Sequence, residues 1–218
     1  MKIALIGSTG FVGKFILKEL LERGHDVTAL VRNPSSVLLS NDRISLVVGD
    51  AYSPTSVANA VRGHDGVVSA FNPGWDDPDL YNNYMRGHKT IIEGVEKSEV
   101  KRIIVIGGAG SLYVAPGMQL LDTEEFRSQV PAHIVPGARA ARDALVDLST
   151  NDRLDWTFVS PPAFLREGDR TGSYRVGGDQ LLMDGDMPAG ISVSDFAVAI
   201  GNEVENAKHV RERFTVAS

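Results

Sequence analysis

The residues best spaced for chemistry open the chain, in the run Gly7-Ser8-Thr9-Gly10-Phe11-Val12-Gly13. Three glycines spaced three apart follow the apolar run Ile3 to Ile6 and precede a helical pattern. A mononucleotide P-loop is excluded. That loop needs Gly-Lys-Ser/Thr so that a hydroxyl can hold magnesium, whereas Gly13-Lys14 is followed by Phe15 and Ser8 stands where the first P-loop glycine belongs. The spacing is a variant of the dinucleotide fingerprint, in which a strand, a tight turn and a helix N-terminus aim free N–H groups and a positive dipole end at a pyrophosphate. In that reading Gly7 turns the chain, Gly10 admits the diphosphate to the backbone and Gly13 lets the helix lie close to the strand. The other reading, a plain glycine turn, is weakened by the β run before it and by Phe15, Ile16, Leu20 and Leu21 after it.

A second chemical position lies at the end of the next β run, HDVTALVRNPSS. NAD-binding chains carry a carboxylate there for the ribose hydroxyls, while an arginine can pair with a 2′-phosphate. Here the run ends in Val31-Arg32-Asn33-Pro34, and Asp26 stands at the wrong end. Arg32 is therefore the expected partner of an adenosine phosphate, with Asn33 and Ser35 as helpers, which favours NADP over NAD. The alternative is a solvated arginine before a turn. Lys14 reads better as an exposed helix lysine than as a phosphate ligand. No HxxH or HExxH spacing joins His25, His64, His88, His133 and His209, so no metal is expected.

These positions need elements to hold them. Apolar β runs at Ile3–Ile6, Val27–Val31, Ile44–Val48, Gly66–Ser69, Ile103–Ile106 and Trp156–Val159 alternate with helical patterns at Phe11–Arg23, Ser53–Arg62, Leu80–Lys97 and about 138–148. Strands apolar throughout and separated by helices are buried on both faces, which predicts an α/β doubly wound parallel sheet in a single domain over 1–218. The tail differs. Arg166 to Gly190 is rich in Gly and Asp and reads as loop or small hairpins over one end of the sheet, so 161–218 is expected to add a small substrate-side cap. A helix capped by Ser192 or Ser194 should run to about Asn206, and Arg213–Val216 could add a last strand.

Composition narrows the class further. The chain has 218 residues, 43% hydrophobic and 23% charged, as in an ordinary globular protein. A net charge of -6 argues against a nucleic-acid surface. With no cysteine, disulfides, thiolate metal sites and cysteine nucleophiles are excluded. The opening apolar run is too short for a signal-peptide core and no segment approaches a membrane span, so a cytoplasmic location is expected.

With GSTGFVG, VRNP, VVGDAYSP, GGAGSLYVAPG, DWTFVSPPAFLREGDRTG, ISVSDFAVAI and RFTVA in hand, nearly the whole chain resembles the atypical short-chain dehydrogenase/reductase family. Within it, the sequence looks most like small bacterial NAD(P)H-flavin reductase-like proteins, relatives of biliverdin reductase B. The resemblance implies a Rossmann fold, with Asp50 and Ala51 beside the adenine and Ala70 and Phe71 along the cofactor. It also implies Gly108 to Ser111 near the nicotinamide, and Ser160, Pro161 and Pro162 at its amide.

The larger family works with a Tyr-x-x-x-Lys pair, in which the lysine lowers the tyrosine pKa. No such pair occurs here; around PGARAARDAL the chain offers Ala and Arg. A flavin or quinone needs less help, because its conjugated ring takes hydride directly and water can supply the proton. The expected activity is therefore NADPH-dependent hydride transfer to such a planar acceptor. Ser111 and Tyr113 are expected as orienting and stacking groups; Phe71, Trp75 and Phe164 could form apolar walls, although aromatic loop residues more often serve packing. Tyr84 and His88 share a helix face and could form a donor pair, but read better as capping a helix surface; His133 could overhang the site, but a lone loop histidine reads better as solvent-exposed. A non-catalytic NADP(H) sensor and a sugar-nucleotide epimerase or dehydratase are the competing readings.

Overall fold

The computed structural model describes residues 1–218. Its first half runs β1 (Lys2–Ile6), α1 (Phe11–Glu22), β2 (Asp26–Val31), β3 (Ile44–Val48), α2 (Pro54–Val61), β4 (Gly66–Ser69), α3 (Leu80–Ser98) and β5 (Arg102–Ile106). A hairpin of β6 (Tyr113–Ala115) and β7 (Met118–Gln119), then α4 (Glu124–Gln129) and α5 (Val135–Ser149), lead to β8 (Asp155–Ser160). The tail holds β9 (Phe164–Arg166), β10 (Arg175–Gly177), β11 (Met183–Asp184), β12 (Met187–Pro188), β13 (Gly190–Ser192), α6 (Val193–Glu205) and β14 (Glu212–Ala217).

Local chemistry sets the element boundaries. The α1 helix stops where Gly24 takes φ +81°, and the His25 N–H turns back to the Leu20 carbonyl. Ser53 caps α2 by accepting from the Ser56 N–H, with Pro54 at the first helical position. Ser192, not Ser194, caps α6 by accepting from the Asp195 N–H; the Ser194 hydroxyl donates to the Gly168 carbonyl.

One sheet organises the molecule, in the order β10-β14-β8-β5-β4-β1-β2-β3. Every neighbouring pair is parallel except β10 with β14. From β1 the chain winds outward to β3 and then returns to build the other side from β4, so the order reverses beside β1. That reversal opens a crevice at the carboxyl ends of β1 and β4, where doubly wound sheets hold their ligands. On one face Ile16, Leu17 and Leu20 of α1 and Phe196 and Ile200 of α6 bury Ile3, Leu5, Ile104 and Phe214. On the other, Val57, Val61, Ile91, Val95 and Leu148 from α2, α3 and α5 cover Ala4, Ile6, Val67 and Phe158.

The expected parallel sheet is present, with three departures. β3 is apolar yet lies at the sheet edge, so Leu46 and Val48 face solvent instead of a second layer. β14 lies inside the sheet between β8 and β10, and β10 adds an antiparallel edge that three largely exposed residues gave no pattern to reveal. Of the tail expected as a cap, β10 and β14 extend the sheet and α6 packs on α1, because its buried stripe completes the same core. What remains of it is two short strand pairs, β9 with β13 and β11 with β12.

Candidate functional site

The glycine turn is built by close approach. Gly7 sits at φ +84°, a region costly for any side chain, and a Cβ there would lie 2.4 Å from the Ala70 carbonyl oxygen. A Cβ on Gly13 would meet the Gly7 carbonyl oxygen at 1.9 Å, so α1 can start only where this residue has no side chain. Gly10 differs. It is the extended N-cap of α1, with no side-chain bond to the helix, and its nearest obstacle would be 3.4 Å away. No protein side chain therefore occupies the orphan N–H groups of the first turn, which leaves them for an anion.

A cleft of ≈ 750 Å³ runs from this turn along the carboxyl ends of β1 to β4. It gathers Gly7, Thr9, Gly10, Arg32, Asp50, Ala51, Ala70 and Phe71 of the expected cofactor residues. Arg32 stands directly after β2 in this wall and forms no ion pair. The Asn33 side chain is committed to capping the turn that follows, by accepting from the Ser35 N–H, and Ser36 rather than Ser35 reaches the cleft. Asp50 fixes its own turn by accepting from the Tyr52 N–H at 2.9 Å. Sequence reasoning missed Tyr52 and Arg86. The Arg86 guanidinium lies 4.3 Å from the centre of the Tyr52 ring, and both line the cleft. Burial raises the Tyr52 pKa, and the neighbouring Arg86 opposes that shift.

The other loop residues support the turn from behind. Ser8 is buried with its Oγ unpartnered, and Val12 packs into the core. Phe11 is half exposed and meets Phe15 edge to face, while Lys14 pairs with Glu167 at 3.3 Å over those rings. Lys14 is therefore tied to the surface.

At the carboxyl ends of β5 and β8 the chain is packed tightly. A Cβ on Gly107 would strike the Phe158 ring at 2.0 Å, and one on Gly108 would lie 3.2 Å from Ala141. Ser160 ends β8 fully buried with an unpartnered Oγ, and Pro161 follows it half-buried. Ser111 is only 1% exposed, and its Oγ and carbonyl lie 3.1 and 2.8 Å from the Arg213 guanidinium. Arg213, unnoticed in the sequence as a site residue, also binds Asp179 and sits 5.9 Å from the half-buried Tyr113 ring. Ser111 is thus held by the protein, and Tyr113 is the more accessible of the two. Trp75 lies against Gly137 and, like Phe164, is about half exposed; neither lines the cleft, whereas Phe71 does.

Tyr84 and His88 are not a donor pair. Tyr84 packs on Ala140, Ala141 and Ala144 between α3 and α5, where burial pushes its pKa up to about 12. Small residues on α5 thus make room for a phenol from the neighbouring helix. His88 faces Asp147 at 3.3 Å, and burial lowers its pKa against the pull of that carboxylate. His133 is exposed. No three His, Asp or Glu side chains converge as metal ligands.

The fold and this turn define a dinucleotide-binding Rossmann protein. The chain belongs to the NAD(P)H-binding family, whose model matches residues 7–203. It is 38% identical to the uncharacterized protein YwnB of Bacillus subtilis, over 100% of this chain and 99% of that one. A Bacteroides thetaiotaomicron structure described as an epimerase candidate superposes with a TM-score of 0.91 at 41% identity, covering 99% and 96% of the two chains. A Streptococcus pneumoniae structure described as an NADH-flavin reductase candidate gives 0.84 at 31% identity, covering 100% and 99%. No helix is long and apolar enough to cross a membrane.

Proposed function

We propose that the protein is an NADPH-dependent reductase that passes hydride to a flavin, a quinone or a similar planar acceptor. The observation that carries this reading is the cleft itself, which pairs a diphosphate-ready turn with an unpaired Arg32 where a carboxylate would select NAD. When bound, the coenzyme supplies the hydride.

The protein's own groups bind and orient. The first turn of α1 holds the diphosphate, and Arg32 holds the adenosine phosphate. Asp50 and Ala51 flank the adenine, and Ala70 and Phe71 line the path between the two ends. Gly108, Ser160 and Pro161 form the wall at the carboxamide end, with the Ser160 Oγ buried behind its surface. Tyr113 stacks against or donates to the acceptor, and Ser111, fixed by Arg213, shapes the wall behind it. The proton that balances the transferred hydride comes from water. A cytoplasmic location, where NADPH is abundant, belongs to the same proposal.

The names of the relatives pull two ways. A flavin reductase agrees with the missing Tyr-x-x-x-Lys pair; an epimerase needs an acid/base that the Ala140–Ala141 face of α5 does not offer. Steady-state assays with NADPH and FMN, riboflavin or a soluble quinone test the choice. NADPH consumption with at least one acceptor is expected. Tight NADPH binding with no consumption would leave a sensor, and turnover of sugar nucleotides alone would favour the epimerase.

A further inference from the structure

Two guanidiniums line the cleft, and both lie near Tyr52. Arg32 comes from the end of β2 and Arg86 from α3, and neither pairs with a carboxylate. The acids nearby are already satisfied by neutral donors. Asp77 accepts from the Asn83 amide at 2.9 and 3.1 Å and from the Asp79 N–H at 2.8 Å, and Asp50 accepts from the Tyr52 N–H. Asp50 and Asp77 keep their charge and balance the two arginines in the lining, but they spend their oxygens on amide donors, so both guanidiniums keep their donors free for an anion that enters the cleft.

Arg86 is also held in advance. Its guanidinium stacks 4.3 Å from the centre of the Tyr52 ring. Phe71 braces that ring edge-on at 5.6 Å, and Phe71 itself lies so close to α3 that a Cβ on Gly87 would meet it at 2.2 Å. A stacked arginine loses less freedom when it takes a ligand, and its planar fork matches the oxygens of a phosphate better than a point charge does.

We infer that Arg86, presented on Tyr52, is a specificity-determining residue that grips the 2′-phosphate of the adenosine ribose together with Arg32. This rests on the NADP reading above and adds to it the second cation that a phosphomonoester dianion calls for. The competing role for a stacked guanidinium in this place is to lie against the adenine, which would not depend on the phosphate.

Calorimetry on the full chain with adenosine 2′,5′-bisphosphate and with adenosine 5′-monophosphate separates these roles, because the probes differ only in the phosphate at issue. Arg86→Met should bind the bisphosphate about tenfold more weakly and the monophosphate as the parent does. Arg86→Lys should recover part of the loss, and thermal unfolding should show both variants folded. Equal losses for both probes, or no loss for either, would overturn the assignment. If Arg32→Met abolishes the preference for the bisphosphate while Arg86→Met keeps it, the NADP reading stands and this inference fails. If the parent protein shows no preference, both fail.

Discussion

At the residue scale the site turns on which charges the protein leaves unspent. Arg32 ends β2 without an ion pair, whereas Lys14, only a few residues from the turn, is spent on Glu167. Arg32→Glu should weaken NADPH binding by about ten- to a hundredfold, the worth of a charge-assisted contact, and leave NADH binding in place. Fluorescence titration of the two reduced coenzymes checks this; a parallel loss of both would sink the phosphate assignment. Arg213 has the opposite character, because its side chain is buried and bonds to the buried Ser111 on one side and to the surface Asp179 on the other. Arg213→Met should cost about 1–3 kcal/mol by stripping buried Ser111 groups of their partner, and urea unfolding would show it. Arg32 was legible in the sequence because it ends a strand whose register is local. Tyr52, Arg86 and Arg213 were not, because a charged or aromatic residue in a turn, on a helix or on a late strand looks the same whether it faces solvent or a site.

At the element scale the junction of β1 and α1 separates two roles that one glycine pattern conceals. A methyl group on Gly13 would collide with the Gly7 carbonyl, while one on Gly10 would find room. Gly13→Ala should therefore cost stability, about 1–3 kcal/mol for an overpacked contact, through displacement of α1. Gly10→Ala should unfold at the parent temperature yet bind NADPH poorly, if the first turn of α1 holds the diphosphate as proposed, since the fingerprint needs a bare backbone there. Calorimetric scanning paired with a binding titration distinguishes them, and matching behaviour of the two variants would refute the division. The spacing of these glycines was readable, but the steric difference between Gly10 and Gly13 was not, because it depends on where the Gly7 carbonyl lies. The use of α3 and α5 was not: Tyr84 fills the space over Ala140, Ala141 and Ala144, a pairing between helices that neither helix announces by itself.

At the scale of the whole molecule, α1, α6 and the segment around Arg170 are clasped by Glu19. Its side chain, 3% exposed, accepts from Arg23 at 2.7 Å and from Arg170 at 2.7 and 2.9 Å, and Arg23 continues to Glu205 and the Val198 carbonyl. Burial alone would raise the Glu19 pKa, but the hydrogen bonds and charges of Arg170 and Arg23 outweigh it and hold the carboxyl below its ordinary 4.5. A depressed carboxyl contributes stability above the ordinary value and loses it as pH falls through the folded value. His25 and His88, lowered from 6.5 chiefly by burial, act in the same direction, because the unfolded chain takes up their protons first. Urea midpoints should therefore fall in two stages on acidification, first below about pH 6.5 and again below about pH 4.5, and Arg170→Ala should lower the second stage. A protein equally stable across that range would contradict the clasp. The sequence by itself determined the alternation of strands and helices, the sharp turn after β1 and the arginine after β2, because each depends on neighbours within one element. Only the tertiary structure decided that β14 enters beside β8, that Arg86 comes to face the cleft shared with Arg32, and that Ser111 answers to a residue 102 positions away. Such contacts are made by packing distant segments against one another, and a one-dimensional pattern records which face a residue prefers but not which partner waits there.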